Sequence, residues 1–253
     1  MYKGVIFIIF SILVSQDKSF DDAVAYYNKR SENIIGIVPD DENILKAIDV
    51  FESLLDSEKD LEAAVYLVRS YYFMAQYVLQ EKSDKMLYFE LAKTLSDQYV
   101  DKYPHSVEIL YWNLANTSNW AKTVGLRIVS KLGEADRYRE RAVDVIILDS
   151  EYEDGGGYFL LGAVYFTAPK IPFLLTWPSN EKAIKYFTKA INTGHSTPLQ
   201  LVYLSKALIE GKKMDEAKKI LLQLINTQPR AENYTEDLHY IMNAKALLEK
   251  HYK

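Results

Sequence analysis

The chain has 253 residues, of which 49% are hydrophobic and 26% are charged, so it can bury a core and is unlike a disordered polymer. Its 10 Gly and 7 Pro are few for the turn-dense sequence of a sandwich or barrel, which favours an all-α fold. A formal net charge of -5, with no concentrated stretch of Lys and Arg, argues against nucleic acid as a partner, and the absence of Cys excludes disulfides and cysteine-ligated metals.

The amino terminus predicts a signal peptide over residues 1 to 16. Lys3 is followed by a largely apolar stretch, residues 4 to 14, which is too short to cross a bilayer as a helix but suits the core of a secretory signal. Leu13 and Ser15 match the small-residue rule for cleavage only loosely, so an uncleaved amino-terminal anchor is the alternative. We therefore expect an exported protein, with residues 17 to 253 as a single helical-repeat domain.

A pattern of paired helices starts weakly near the amino terminus and strengthens along the chain. Small residues recur where the second helix of each pair should touch the first: Ala47, Ala92, Ala142, Ala183 and Ala217. Pro104 follows Ala92 at the spacing by which Pro229 follows Ala217, and proline at this place ends a helix. Irregular joints are predicted at about residues 33 to 41, 81 to 84, 124 to 133 and 169 to 178.

The segment SVEILYWNLANTSNWAKTVG, residues 106 to 125, predicts a helix with two different faces. One arc is an ordinary apolar core stripe, whereas the other gathers Trp and Asn. Two indoles among amides suit a sheltered, half-polar wall, which makes four residues candidates for ligand binding: Trp112, Asn113, Asn116 and Trp120. The alternative is that the indoles pack against neighbouring helices and the amides satisfy backbone groups.

Three consecutive glycines, 155 to 157, open the next informative helix, which is apolar on almost every side. Free amide groups at such a helix start could hold an anion, but a sharp turn and close helix packing explain the glycines better. A helix without a polar face must be covered on all sides. The sequence therefore predicts that another segment packs over it.

The loop APKIPFLLTWP follows this helix and lengthens the usual spacing between repeat helices by nine residues. Its prolines prevent it from continuing the helix. Core cover is one interpretation; a subunit contact, a wall of a hydrophobic ligand cavity, or membrane contact through residues 169 to 178 are the others. Candidate ligand-binding residues on this helix and loop are Tyr165, Phe166, Phe173 and Trp177.

Residues 201 to 229, LVYLSKALIEGKKMDEAKKILLQLINTQP, read as a helix, a turn at Gly211, a second helix and a terminal proline. This unit resembles the tetratricopeptide repeat. We therefore predict an all-α, tetratricopeptide-like helical-hairpin solenoid of about four to five hairpins, with a C-terminal capping helix over residues 235 to 251. Asn233 and Glu236 are predicted to cap each other's amide groups at the start of that helix.

Groups suited to catalysis are sparse. Four His residues stand far apart, and the sequence has no His-Glu-x-x-His pair, no Gly-x-Ser-x-Gly elbow and no Gly-rich loop followed by Lys-Ser or Lys-Thr. The sequence therefore predicts no enzyme activity, no cofactor and no metal site.

Residues 106 to 194 together resemble the T-component family of TRAP transporters, which are irregular tetratricopeptide proteins of the bacterial envelope. The resemblance is carried by LYWNLANTSNWA, RAVDVIILDSEYEDGGGYFLLGAVYF, the apolar loop and NEKAIKYFTKAI. It implies a periplasmic or envelope location, a homo-oligomer that is trimeric in the family, a cleft for a hydrophobic small molecule, and pairing with the periplasmic solute-binding protein of a TRAP transporter. It also implies a groove role for Trp112, Asn116, Trp120, Tyr165, Phe173 and Trp177.

One departure from that family is plain. Its members are commonly lipoproteins, and this chain has no Cys to carry a lipid. Anchoring of the usual kind is therefore impossible, and the resemblance covers only about a third of the chain.

Two functions follow as hypotheses. The first is an exported binding protein that holds a hydrophobic or amphipathic small ligand as an accessory, T-component-like part of a TRAP-type uptake system. The alternative is a protein-protein interaction scaffold of the bacterial cell envelope that binds a peptide or partner helix in its concave groove. An arc rich in indole and amide favours the ligand, because adaptor grooves usually present Lys, Arg and Asn at regular inner positions.

Overall fold

A computed structural model of the protein describes residues 19 to 252. These residues form helices, turns and loops without a β-strand, so the all-α prediction is confirmed. The predicted signal peptide, residues 1 to 16, lies outside the described residues.

Twelve α-helices follow one another between residues 19 and 252. They are α1 (Phe20–Asn28), α2 (Glu42–Ser53), α3 (Asp60–Phe73), α4 (Lys82–Lys102), α5 (Val107–Val124), α6 (Leu126–Lys131), α7 (Glu134–Leu148), α8 (Tyr152–Thr167), α9 (Asn180–Thr193), α10 (Pro198–Glu210), α11 (Met214–Leu224) and α12 (Tyr234–His251). A π-helical turn, Met74–Val78, extends α3, and a 3₁₀ turn, Ala231–Asn233, precedes α12. The chain has loops at the predicted joints 33 to 41 and 169 to 178. The short helix α6 occupies most of the predicted joint 124 to 133, and residues 82 to 84 of the predicted joint 81 to 84 belong to the first turn of α4.

The helices pack in adjacent pairs. α1 pairs with α2, α3 with α4, α5 with α7, α8 with α9 and α10 with α11, while α12 packs on both α10 and α11. A second set of contacts joins α1 to α3, α3 to α5, α5 to α8, α8 to α10 and α10 to α12. These six helices therefore form one continuous layer, and their partners form a second layer against it.

Small residues permit the close approach within each pair. The five alanines at the predicted contact positions, Ala47, Ala92, Ala142, Ala183 and Ala217, are all 0% exposed. Between α8 and α9, a Cβ added to Gly162 would stand only 2.7 Å from the Phe187 ring. The burial that the sequence predicts at the helix contacts is therefore confirmed.

The last helix packs against the first ones. Arg30, which follows α1 and is 4% exposed, donates to Glu236 Oε1 at 2.9 Å and 2.7 Å and to the Glu232 carbonyl at 2.8 Å. Tyr77 of the π-helical turn makes an edge contact with His239 of α12, with 5.5 Å between the ring centroids. The two ends of the described chain therefore meet, and the continuous layer closes into a ring.

The predicted cap of α12 is wrong. Asn233 stands at the N-cap position, but its side chain makes no capping hydrogen bond. Asn233 Oδ1 and Glu236 Oε1 instead accept from Arg30, at 3.1 Å and 2.7 Å. A buried guanidinium is a stronger donor than a terminal amide, so both acceptors turn toward it.

Asp60 joins α3 to α4, and its replacement gives a pH-dependent prediction. Its carboxylate is largely buried, yet hydrogen bonds from Lys102 and from the Tyr99 and Tyr103 hydroxyls outweigh burial and hold its pKa well below the ordinary value. A lowered folded-state pKa stabilises the protein above the unfolded pKa of about 3.9, and this stabilisation is lost as the pH falls.

We therefore expect Asp60→Asn to lower the free energy of unfolding by about 1–3 kcal/mol at neutral pH, because a charged acceptor with several donors is lost. The deficit should shrink as the pH falls below about 4. Urea unfolding of both proteins at neutral and acidic pH measures this difference. A deficit that stays constant with pH would contradict the assignment.

Candidate functional site

The ring of helices encloses a cavity of about 170 Å³. It is lined by side chains from α1, α3, the π-helical turn, α5, α7, α8, α10 and α12. Aromatic rings from all seven of these helices and from the π-helical turn form much of its wall, among them Tyr72, Tyr77, Tyr111, Trp112, Tyr203 and Tyr240. An apolar cavity of about 150 Å³ accommodates benzene, so this space can hold a ring-sized molecule.

The tyrosine hydroxyls in this wall are neutral donors. Burial raises the pKa of Tyr72, Tyr77 and Tyr111 well above the ordinary value. They therefore keep their protons at neutral pH and can donate or accept hydrogen bonds without adding charge. The wall combines apolar ring faces with polar tips, which suits a ligand that is partly polar.

Charged side chains also line the cavity, and several of them pair with each other. Arg230 donates to both oxygens of Asp237, at 2.8 Å and 2.9 Å, and lies 3.8 Å from Asp154. Glu236 is held by Arg30 as described above. Two further charged residues, Arg69 and Glu153, line the same cavity.

A left-handed turn places Glu153 at the wall. Glu153, Asp154 and Gly155 have φ values of 49°, 56° and 78° at the start of α8, where the first two residues are strained because they carry a Cβ. Contacts with later segments hold the turn: Gln200 Nε2 donates to the Asp154 carbonyl at 2.7 Å, and the His195 N–H donates to Asp154 Oδ1 at 3.0 Å. Such strain is often found at functional sites.

The glycines after this turn serve helix packing, as the sequence predicts. A Cβ on Gly156 would overlap the Tyr111 ring, and one on Gly157 would stand 2.8 Å from Ile146. Gly155 supplies the left-handed backbone that closes the turn. The interpretation of this run as a turn and close packing site is confirmed.

The predicted Trp and Asn arc of α5 divides between two environments. Trp112 lines the cavity. Asn113 is 0% exposed and donates to Ser96 Oγ at 2.9 Å and Asp97 Oδ1 at 2.8 Å, while Arg141 donates to its Oδ1 at 3.1 Å. Asn113 therefore ties α4, α5 and α7 together and does not line the cavity.

The other two predicted residues of this arc also lie outside the cavity lining. Asn116 is 0% exposed and donates to the Trp112 carbonyl at 2.9 Å and the Val68 carbonyl at 3.4 Å. Trp120 donates from Nε1 to Glu90 Oε2 at 2.5 Å on α4. Contacts with backbone carbonyls and with α4 account for the Asn116 amide group and the Trp120 indole, while Asn116 Oδ1 is buried without a hydrogen-bond partner.

The predicted residues of α8 and the following loop pack among α7, α8 and α9. Tyr165 stacks on Tyr186 with 5.6 Å between centroids, and Phe166 makes an edge contact with Phe187 at 6.3 Å. Trp177 donates to Asp136 Oδ1 at 2.8 Å, with the Arg139 guanidinium 4.4 Å from its ring centroid. Of the three candidate tryptophans, Trp112 lines the cavity, whereas Trp120 and Trp177 do not.

The loop is partly core cover. Ile171 and Leu175 form a two-residue bridge and are buried against Ala135 of α7. At the tip between them, Phe173 is fully exposed with a left-handed φ of 66°, and Leu174 is 54% exposed. Ile171 and Leu175 therefore cover part of the core, as the first interpretation of the loop predicts. Phe173 and Leu174 at the tip do not cover the core.

A smaller cavity of about 50 Å³ lies between α5, α6, α7 and α8. It shares four lining residues with the larger cavity: Ser118, Tyr138, Ala163 and Thr167. Its other wall residues are mainly apolar, including Leu126 and Val129. The main cavity therefore adjoins a small apolar space.

Comparison with models of known protein families and with curated proteins finds no match for this chain. The tetratricopeptide and T-component assignments rest on the residue patterns alone and stay predictions.

Within the part of the chain that the structure describes, no helix has both the length and the hydrophobicity needed to cross a bilayer. The same residues contain no group of His, Asp and Glu that could hold a metal ion.

Proposed function

We propose that this chain is an exported, tetratricopeptide-like solenoid that binds a small amphipathic ligand in its central cavity. The observation that carries the proposal is a ring-sized cavity whose wall combines tyrosine and tryptophan rings with charged groups. Glu153 stays exposed although it lies inside the ring of helices, which shows that solvent reaches this space. The adjoining apolar space would suit the less polar end of the ligand.

The biological setting follows from the resemblance of residues 106 to 194 to T-components. We propose an accessory role in a TRAP-type uptake system, in the periplasm or cell envelope, with the solute-binding protein of that transporter as partner. The resemblance also supports a homotrimer. The exposed loop tip at Phe173 and Leu174 is a surface that such a subunit contact, or contact with a membrane, would cover.

The scaffold alternative is less well supported by the shape of the inner surface. A partner helix is about 10 Å wide with its side chains. The ring closed by Arg30 and α12 leaves room for a ring-sized group only. A peptide or helix would have to bind elsewhere on the molecule.

Native mass spectrometry of the mildly purified protein tests the proposal, with two tryptophan variants as a matched pair. We expect the wild-type protein to retain one small-molecule adduct. Trp112→Ala should lose it, because Trp112 lines the cavity, whereas Trp120→Ala should keep it, because Trp120 packs on α4. A wild-type protein that carries no small molecule but copurifies with a protein partner would contradict the proposal and favour the scaffold.

A further inference from the structure

Arg69 of α3 presents an unsatisfied cation to the cavity. Its guanidinium carbon lies 5.2 Å, 5.0 Å and 5.0 Å from the ring centroids of Tyr27, Tyr66 and Trp112. Its Nε is buried without a hydrogen-bond partner, and none of its N–H groups donates to a residue between 19 and 252. Aromatic faces hold the cation in place but accept no conventional hydrogen bond, so its donors still need an acceptor.

Glu153 presents an unsatisfied carboxylate to the same cavity. Its side chain forms no hydrogen bond or ion pair with another described residue, and the strained turn fixes its backbone. Its side chain is exposed to solvent inside the cavity, yet the surrounding helices desolvate it enough to raise its pKa, and the nearby positive charge of Arg69 opposes that rise. The two groups therefore interact through space, but they are too far apart to form an ion pair.

The remaining charged groups of the cavity do not supply what these two lack. Asp237 accepts three hydrogen bonds from Arg230, two of them from the guanidinium. Glu236 accepts from Arg30 through Oε1, while its Oε2 is buried without a hydrogen-bond partner. Lys122, at the exposed side of α5, donates to Asn119 Oδ1 at 2.9 Å and the Tyr203 hydroxyl at 3.3 Å. Among the charged residues that line the cavity within the described chain, Arg69 and Glu153 are thus the cation and the carboxylate that make no hydrogen bond or ion pair at all.

A ligand with a single charge satisfies only one of the two. A simple anion at Arg69 is repelled by Glu153, and a simple cation at Glu153 leaves the Arg69 donors unpaired. A molecule with a carboxylate and an ammonium group separated by a short spacer satisfies both. The ammonium group would also face the aromatic rings of the wall, which attract cations.

From this arrangement we propose that the cavity binds a small zwitterion of the amino-acid class, with its carboxylate on Arg69 and its ammonium group on Glu153. The cavity volume of about 170 Å³ suits a molecule of this size. The inference rests on the proposed ligand-binding function and narrows it to one class of ligand. The hydrocarbon part of the amino acid would lie against the tyrosine and tryptophan rings.

The test begins with the full chain, unfolded in urea, dialysed and refolded to remove small molecules. Each standard L-amino acid is used as a probe in a thermal shift assay, and the affinity of the tightest binder is measured by calorimetry. Two analogues of that amino acid follow: the amine that lacks the carboxylate and the acid that lacks the amino group. We expect each analogue to bind about ten-fold or more weakly than the amino acid.

Variants assign the two charges. Arg69→Met should weaken the amino acid about ten-fold or more but leave the affinity of the amine unchanged or raise it, because the repelling cation is gone. Glu153→Gln should likewise weaken the amino acid but leave the affinity of the acid unchanged or raise it, because the repelling carboxylate is gone. A general loss of fold would weaken every probe, so this crossed pattern separates binding from folding. Arg139→Met is the control, because Arg139 stacks on Trp177 outside the cavity lining.

The outcomes separate this inference from the proposed function. If no amino acid binds, or if the acid binds as tightly as the amino acid, the zwitterion assignment is overturned. Native mass spectrometry of the mildly purified protein then decides the rest. An adduct of another chemical class leaves the ligand-binding function standing, whereas a protein without any adduct overturns both.

Discussion

Replacing Arg30 by Met is expected to lower the free energy of unfolding by about 2–4 kcal/mol. Arg30 is 4% exposed and joins the end of α1 to α12 through Glu236, Asn233 and the Glu232 carbonyl. Met keeps much of the apolar stem but removes every donor, so the partly buried Glu236 carboxylate loses its cation. Because this contact closes the ring, amides of α12 should also exchange hydrogen faster.

Arg137→Met is the matched control for that variant. Arg137 pairs with Glu134 one helical turn away, and its side chain is 59% exposed, so its removal should change stability by less than about 0.5 kcal/mol. The double variant Arg30→Met with Glu236→Met should recover part of the loss, since no unpaired charge is left behind. Urea unfolding of the four proteins measures these differences. Equal stabilities for Arg30→Met and Arg137→Met would show that the ring is not closed in this way.

The second large effect is expected for Phe187→Ala, which should cost about 3–5 kcal/mol. Phe187 of α9 is 0% exposed and contacts Phe159, Phe166 and Tyr203, with centroids 5.7 Å, 6.3 Å and 5.9 Å away. It also lies against Gly162, where no side chain can move in to fill the space. Its removal therefore leaves a cavity at the junction of α8, α9 and α10.

Phe173→Ala provides the same chemical change at an exposed position. Phe173 stands fully exposed at the tip of the 169 to 178 loop, so we expect a change within about 0.5 kcal/mol. Thermal or urea unfolding of the two alanine variants compares them directly. Similar losses at both positions would contradict the assignment of Phe187 to the core.

Local sequence patterns were sufficient to predict several helices and the small residues at their contacts, but not α6, which lies where an irregular joint is predicted. The segment 106 to 125 forms α5, Val107–Val124, because its apolar stripe and the cap at Ser106 are local features. The five small residues are buried because a short side chain at a helix contact is required wherever the chain forms such pairs. The closing helix is predicted to within one residue of its start.

The environment of the Trp and Asn arc could not be read from one helix. α5 contacts α3, α4, α7 and α8, so residues that share an arc face different neighbours. Trp112 faces the cavity, whereas Asn113 and Trp120 meet α4. Periodicity specifies which residues share a face but not which element covers each part of that face.

The charged residues of the cavity were missed for a related reason. Arg69 and Glu153 are 84 positions apart in the sequence, and the ring of helices brings them to one space. A weak signal was present: Arg69 is the only basic residue within the otherwise apolar and tyrosine-rich second half of α3. Glu153 likewise precedes three glycines at a turn. Neither signal indicates a partner until the ring closes.

A crystal structure of the mildly purified protein tests the central claim most directly. We expect Arg30 and Glu236 in contact, an open space among the inner helices, and electron density for a small molecule between Arg69 and Glu153. Arg69 and Glu153 paired directly across a space filled by the chain's own side chains would contradict the claim, and an open groove with α12 away from α1 would do so equally.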